Sequence, residues 1–172
     1  LSWGPVQEQQ PRRLFEKPQQ LRRIDVSPDG SKILVCADFS LQTIEARTGA
    51  AVWTLSSGYF RPVAEWSPTG EQVLSIKGGE STARSADVGR VIQTFRIATE
   101  EAVDLTWAPT GAQVASISST GKVRVFSLPG NEAAVVLSGH QGPIEHLAWS
   151  PDGTRLVTTG EEDRTLRVFH SE

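Results

Sequence analysis

The sequence predicts an all-β protein built from repeated four-stranded antiparallel sheets, and two observations carry this prediction. The first is a turn of the type Ser-Pro-Asp-Gly that recurs at intervals of 40, 41 and 42 residues. Its four copies are residues 27–30, 67–70, 108–111 and 150–153. In each copy the proline sets φ at the first central position, and the glycine takes the positive φ that closes the turn. A constant period of this length indicates stacked copies of one supersecondary unit.

The second observation is the alternation of apolar residues on both sides of each turn. The positions just before the four turns, and those two residues earlier, are apolar, as in a strand with one buried face. These pairs are Ile24 and Val26, Ala64 and Trp66, Leu105 and Trp107, and Leu147 and Trp149. After each turn come two consecutive apolar residues, which is typical of a central strand covered on both faces. Four short strands in every period indicate a β-propeller of four-stranded antiparallel blades.

The last repeat carries sequence features of a known family. Gly139-His140 is followed by residues 147–153 (LAWSPDG), by Leu156-Val157-Thr158 and by residues 163–169 (DRTLRVF). In these features the chain resembles the WD-repeat β-propellers. Where that family has Trp-Asp, this chain has Trp3-Gly4, Ile44-Glu45, Ala86-Asp87, Phe126-Ser127 and Phe169-His170. Their intervals of 41, 42, 40 and 43 residues keep the register, although the dipeptide itself is absent.

The resemblance implies a structural hydrogen-bond network in the last repeat. In the family this network joins a histidine, a Ser or Thr on the second strand, an Asp before the third strand and a tryptophan. The matching residues here are His140, Thr158 and Asp163, and Phe169 stands in place of the tryptophan. We therefore expect the network to end one link short, because phenylalanine has no N–H donor. The other three repeats lack a matching set, and we expect them to be held together mainly by apolar packing.

The repeats divide the chain into five segments, and two architectures fit them. Residues 1–20 hold the end of a preceding blade and an outer strand at 12–16. The repeats follow at 21–56, 57–97, 98–138 and 139–172, and the last one lacks an outer strand of its own. Either residues 12–16 complete the last blade and close a four-bladed ring, or the chain is a run of blades from a larger propeller. We favour the larger propeller, because WD-repeat rings usually have seven blades or more.

Motifs that carry catalysis or cofactor binding are missing from the sequence. It contains no Gly-x-Ser-x-Gly, Gly-x-Gly-x-x-Gly, Walker A or His-Glu-x-x-His motif. Its three histidines lack zinc spacing, and its single cysteine, Cys36, cannot complete a structural zinc site. We therefore predict no enzymatic activity, no catalytic residues, no cofactor and no bound metal.

The charge and hydropathy of the sequence limit which kinds of partner and which cellular compartment fit the chain. The net charge of −3 argues against nucleic acid as a partner, although residues 12–23 form a basic stretch. No run of apolar residues is long enough to span a membrane. A single cysteine allows no internal disulfide, which favours an intracellular, cytoplasmic setting.

A loop in the second repeat is the best candidate for partner binding. Tyr59, Phe60 and Arg61 are residue types enriched in interface hot spots, and Phe39 is expected on the same rim. The predicted function is a non-catalytic platform for protein–protein interaction within a larger complex, with other proteins and the remaining blades as partners. Two alternatives are a regulatory or sensor propeller attached to a catalytic domain elsewhere, and the propeller domain of a hydrolase.

Overall fold

Fifteen β-strands form four separate antiparallel sheets in the part of the chain that the structure describes. The structure is a computed structural model, and it describes residues 13–14, 20–56, 58, 62–77, 80–96, 102–128 and 133–170. No helix occurs among these residues. The predicted all-β fold is therefore confirmed.

Each sheet is one blade, and its strands pair in chain order. Blade 1 contains β1 (Leu21–Val26), β2 (Lys32–Ala37), β3 (Ser40–Glu45) and β4 (Ala51–Ser56). Blade 2 contains β5 (Val63–Trp66), β6 (Gln72–Lys77), β7 (Glu80–Ser85) and β8 (Val91–Arg96). Blade 3 contains β9 (Ala102–Trp107), β10 (Gln113–Ser118), β11 (Val123–Ser127) and β12 (Ala133–Leu137). Blade 4 contains β13 (Ile144–Trp149), β14 (Arg155–Gly160) and β15 (Leu166–His170).

The recurring turn joins the first two strands of every blade. In blade 1 the N–H of Gly30 donates to the carbonyl oxygen of Ser27 at 2.8 Å, and Gly30 has a φ of 71°. The side chain of Asp29 accepts the Ser27 hydroxyl at 2.6 Å and the N–H of Ser31 at 3.0 Å. These hydrogen bonds lower the pKa of Asp29 to about 2, the Ser27 hydroxyl being the largest cause. Hydrogen bonds among its own residues thus stabilise the turn, which explains why its sequence recurs.

The apolar core lies between the blades. The first strands β1, β5, β9 and β13 pack against one another in succession, as the inner strands of a propeller do. One apolar cluster joins blades 1 and 2 around Trp53 and Trp66, a second joins blades 2 and 3 around Trp107, and a third joins blades 3 and 4 around Ile144 and Leu156. Adjacent sheets therefore bury their apolar faces against one another.

The two ends of the blades carry different connections, because strands alternate in direction within each sheet. The Ser-Pro-Asp-Gly-type turns lie at one end, which we call the turn face. The connections between the second and third strands, and between successive blades, lie at the other end, which we call the loop rim. The predicted outer strand at 12–16 falls outside the described residues except for residues 13–14, and the backbone of Leu14 lies against Gly49 of blade 1.

Candidate interaction site

His140, Thr158 and Asp163 meet at the loop rim of blade 4. The Nδ1 atom of His140 lies 2.9 Å from Oδ2 of Asp163, and its Nε2 atom lies 2.8 Å from Oγ1 of Thr158. A carboxylate can only accept, so a neutral ring carries its proton on Nδ1, and Nε2 accepts from the Thr158 hydroxyl. The connection that precedes β13 is thereby tied to the middle strand and to the β14–β15 turn.

The carboxylate of Asp163 accepts hydrogen bonds from several donors. Besides His140, the N–H groups of Gln141 and Thr165 donate to it, each at 3.1 Å. Burial acts to raise the pKa of Asp163, but these hydrogen bonds outweigh burial and hold the pKa well below its usual range. A side chain at Gly160 would collide with both Asp163 and His140, so glycine is required beside the network. Phe169 is partly buried in the same blade.

A second set of polar contacts, which the sequence did not predict, joins the inner strands of different blades. The carboxylate of Asp25 accepts the backbone N–H of Trp66 in the next blade at 2.8 Å. Glu65 does the same for the N–H of Trp107 at 3.2 Å. Asp25 and Glu65 are 40 residues apart and directly precede the repeated apolar position, which is the signal that could have revealed them. Blades 1 to 3 are therefore joined by hydrogen bonds as well as by apolar packing.

Four ionisable groups from three blades converge at this inner edge. Arg23 of β1 donates to the carboxylate of Asp104 of β9. Burial raises the pKa of Glu65 to about 7, Arg23 opposes the rise, and the charge of Asp25 adds to it. The inner edge thus holds one carboxyl group that titrates near neutral pH.

The outer strand of blade 1 makes a third kind of contact with blade 2. The indole N–H of Trp53 donates to the carbonyl oxygen of Ala86 at 3.0 Å, and the ring is buried. Nearby, Nζ of Lys32 lies 2.7 Å from Oδ1 of Asp87. Ala86-Asp87 is the position where the family has Trp-Asp, so this dipeptide contacts the preceding blade here.

The two outermost faces of the run of blades expose apolar side chains that inner blades bury. We call the face of a blade toward its predecessor the leading face, and the opposite one the trailing face. On the leading face of blade 1, Ile24 is 65% exposed, whereas the equivalent residues Ala64 and Leu105 are 0% exposed. On the trailing face of blade 4, Leu166 is 64% exposed, whereas its equivalent Val123 is 0% exposed. Both faces have the composition of a blade–blade interface without the neighbour.

Of the four residues predicted to bind a partner, the structure describes one. Phe39 lies in the β2–β3 connection at the loop rim, and it is exposed. Tyr59, Phe60 and Arg61 lie outside the described residues.

Comparisons with known proteins agree with the repeat pattern. A sequence model of the family "WD domain, G-beta repeat" matches residues 131–170, the segment that holds His140, Thr158 and Asp163. Protein transport protein SEC31 of Chaetomium globosum is 22% identical over 98% of this chain. Coronin-7 of Homo sapiens is 30% identical over 77% of this chain. The chain belongs to the WD-repeat propeller family.

The WD-repeat chain spans a minor part of these relatives. It covers 13% of SEC31 and 14% of coronin-7. A protein chain in the crystal structure of a mitotic checkpoint complex superposes with a TM-score of 0.80 at 17% identity, and the match covers 91% of this chain and 51% of that one. This likeness shows the propeller fold.

Among the described residues, no helix has the length and hydropathy that a membrane-spanning helix requires.

Proposed function

We propose that this WD-repeat chain is a non-catalytic interaction platform, a run of propeller blades that binds further blades and other proteins. The observation that carries the proposal is the exposure of Ile24 and Leu166 at positions that are buried in the inner blades. Apolar surface contributes about 25 cal/mol per Å² when it is buried. Faces of this composition therefore favour a covering partner.

A further blade is the occupant that repeat geometry supports. Ile24 and Val26 stand where Ala64 and Trp66 receive the trailing face of blade 1. Leu166 and Val168 stand where blade 3 offers its trailing face to blade 4 through Val123 and Val125. A leading face and a trailing face are thus complementary, and among the described residues no blade covers the leading face of blade 1 or the trailing face of blade 4.

A non-catalytic role is supported by the way the buried polar groups are used. Both ring nitrogens of His140 are engaged in hydrogen bonds within its blade. The His140 side chain and Thr158 are each 1% exposed, so this chain of hydrogen bonds is shielded from any substrate in solution, which supports a structural role. Binding to other proteins is proposed for the loop rim, where Phe39 is exposed and where Tyr59, Phe60 and Arg61 remain sequence predictions.

We further propose that the chain works in the cytoplasm. Its single cysteine, Cys36, is a free thiol in the core, and burial raises its pKa to about 11. A buried neutral thiol suits a reducing compartment, where it needs no partner. Fluorescence imaging of the tagged protein checks this, and retention in a secretory compartment would contradict it.

The docking of blades is testable with variants that disable one end face each. A second copy presents the same faces as a further blade, so the isolated chain should associate head to tail. Ile24→Asp removes the leading face and Leu166→Asp removes the trailing face, so each variant alone should be monomeric by light scattering. Mixed together, the two variants should form a one-to-one heterodimer, because one intact face of each kind remains.

Val88→Asp is the matched control. Val88 is exposed but lies in the β7–β8 connection of an inner blade, so this variant should associate as the wild type does. A mixture of the two end-face variants that stays monomeric would contradict the docking of blades. A Val88 variant that becomes monomeric would show that the association uses another surface, which also contradicts it.

A further inference from the structure

The same kind of hydrogen bond crosses the boundary between blades 1 and 2 and the boundary between blades 2 and 3. The N–H of Trp66 donates to Asp25 of blade 1 at 2.8 Å, and the N–H of Trp107 donates to Glu65 of blade 2 at 3.2 Å. Each carboxylate stands directly before the apolar residue that precedes the turn of its own blade. At both boundaries the preceding blade therefore supplies an acidic side chain to the blade that follows.

The boundary between blades 3 and 4 is held together differently. Thr106 stands at the acidic position of blade 3, and its hydroxyl donates back to Glu65 at 3.3 Å. Blade 4 instead has the hydrogen bonds of His140, which tie the connection before β13 to its own blade. The connections before β5 and β9, residues 57–62 and 97–101, contain no histidine. The blades that lack this histidine are thus the blades that receive a carboxylate.

Blade 1 also lacks the histidine, because residues 15–20 before β1 contain none. Val26 holds the position of Trp66 and Trp107 but is 52% exposed, whereas those two residues are 4% and 7% exposed. The N–H of Val26 donates at 2.9 Å to Asp25, the residue beside it. The residue beside Trp66 is also acidic, yet Trp66 donates across the boundary. The bond of Val26 to its own neighbour therefore stands in for a bond to a preceding blade.

We infer that the blade which covers the leading face of blade 1 carries Asp or Glu directly before its own turn-preceding apolar residue, and that this carboxylate accepts the N–H of Val26. A carboxylate accepts an N–H more strongly than a neutral group does, so this bond selects among blades with similar apolar faces. Blade 4 of a second copy has Ala148 at the position of the carboxylate and is a weaker cover. This inference rests on the proposed docking of blades, and it names the chemistry by which the leading face recognises its partner.

The test installs the inferred carboxylate in blade 4. Ala148 is exposed on the trailing side of β13, so Ala148→Glu requires no repacking of the core. The change is added to the Ile24→Asp chain, which keeps the trailing face, and this chain is mixed with the Leu166→Asp chain, which keeps the leading face. Isothermal titration calorimetry should give a dissociation constant about tenfold lower with Ala148→Glu than without it.

His146→Glu is the matched control. His146 is exposed and lies two residues before Ala148 on the same side of β13, so the control adds a negative charge close to the inferred contact but outside it. The dissociation constant with His146→Glu should stay within about twofold of the value without either change, because exposed charges interact weakly. An equal gain in affinity from His146→Glu would show general attraction by charge and would overturn the inference.

The backbone amide of Val26 reports the contact directly. Its ¹H–¹⁵N resonance is followed in the labelled Leu166→Asp chain and is assigned with the variant Val26→Ile. Binding of the unlabelled chain with Ala148→Glu should move this resonance further downfield than binding of the chain that keeps Ala148, because a carboxylate then accepts the N–H. The same position of the resonance in both complexes would contradict the inferred hydrogen bond.

The pair without Ala148→Glu separates this inference from the proposed function. If Ile24→Asp and Leu166→Asp bind each other but Ala148→Glu leaves the dissociation constant unchanged, the inference is overturned and the docking of blades stands. If no pair binds, with or without Ala148→Glu, the docking of blades and the inference are both overturned.

Discussion

The indole N–H of Trp53 in blade 1 donates to the carbonyl oxygen of Ala86 in blade 2, and the ring lies against Gly89 of the same turn. A Cβ atom on Gly89 would come within 2.8 Å of the ring, and Gly89 has a φ of 66°. The contact therefore requires glycine for two reasons, the left-handed backbone and the lack of space.

Gly89→Ala should destabilise the protein more than a glycine substitution at a turn without a neighbour. Gly30 is the matched control, because its φ of 71° is similar and a Cβ atom there would meet no described atom within 4 Å. Gly30→Ala introduces backbone strain alone, which should lower the free energy of unfolding by about 1 kcal/mol. Gly89→Ala adds overpacking, so its loss of unfolding free energy in urea should be larger by about 1–3 kcal/mol. Equal losses of unfolding free energy in the two variants would show that the Trp53 ring moves aside without cost.

The hydroxyl of Thr158 should contribute to the stability of blade 4. Thr158→Val keeps the shape of the side chain but leaves Nε2 of the buried His140 without its partner, which costs about 1–3 kcal/mol. Ser116→Ala is the control, because Ser116 holds the equivalent position in blade 3, where residues 98–101 contain no histidine. Its cost in urea unfolding should stay below about 1 kcal/mol. If Thr158→Val lowers the unfolding free energy no more than the control does, the His140 network does not contribute to stability.

Glu65 should make the stability of the protein fall as pH rises through the neutral range. Its pKa is raised by burial to about 7, so between about pH 4.5 and 7 the folded chain keeps a proton that the unfolded chain has released. Stability from this group is complete below that window and is lost as pH rises through 7. The expected loss is about 1–3 kcal/mol.

The variant Glu65→Gln isolates this effect. Its amide oxygen can still accept the N–H of Trp107, but the side chain no longer titrates. Urea unfolding at several pH values should therefore give a smaller decline from pH 5 to 7.5 in the variant than in the wild type. Parallel curves would mean that Glu65 titrates at its ordinary pKa.

The fold follows from local chemistry, which is why the sequence predicted it. The Ser27 to Gly30 turn is stabilised by atoms within five residues of one another, so its recurrence alone reveals the strand pairs. The contact of His140 with Asp163 followed from the resemblance of one repeat to a family pattern. Arg23 and Asp104 lie in different blades, 81 positions apart, and no periodic pattern states which inner strands meet across the propeller.

The mass of the 172-residue chain in solution, measured by light scattering after gel filtration at rising concentration, tests the central claim most directly. The end faces around Ile24 and Leu166 should draw copies together, so the mass should rise well above the 18.7 kDa of one chain. A single species of 18.7 kDa at every concentration would contradict the account, because both apolar faces would then be stable in water without a covering blade.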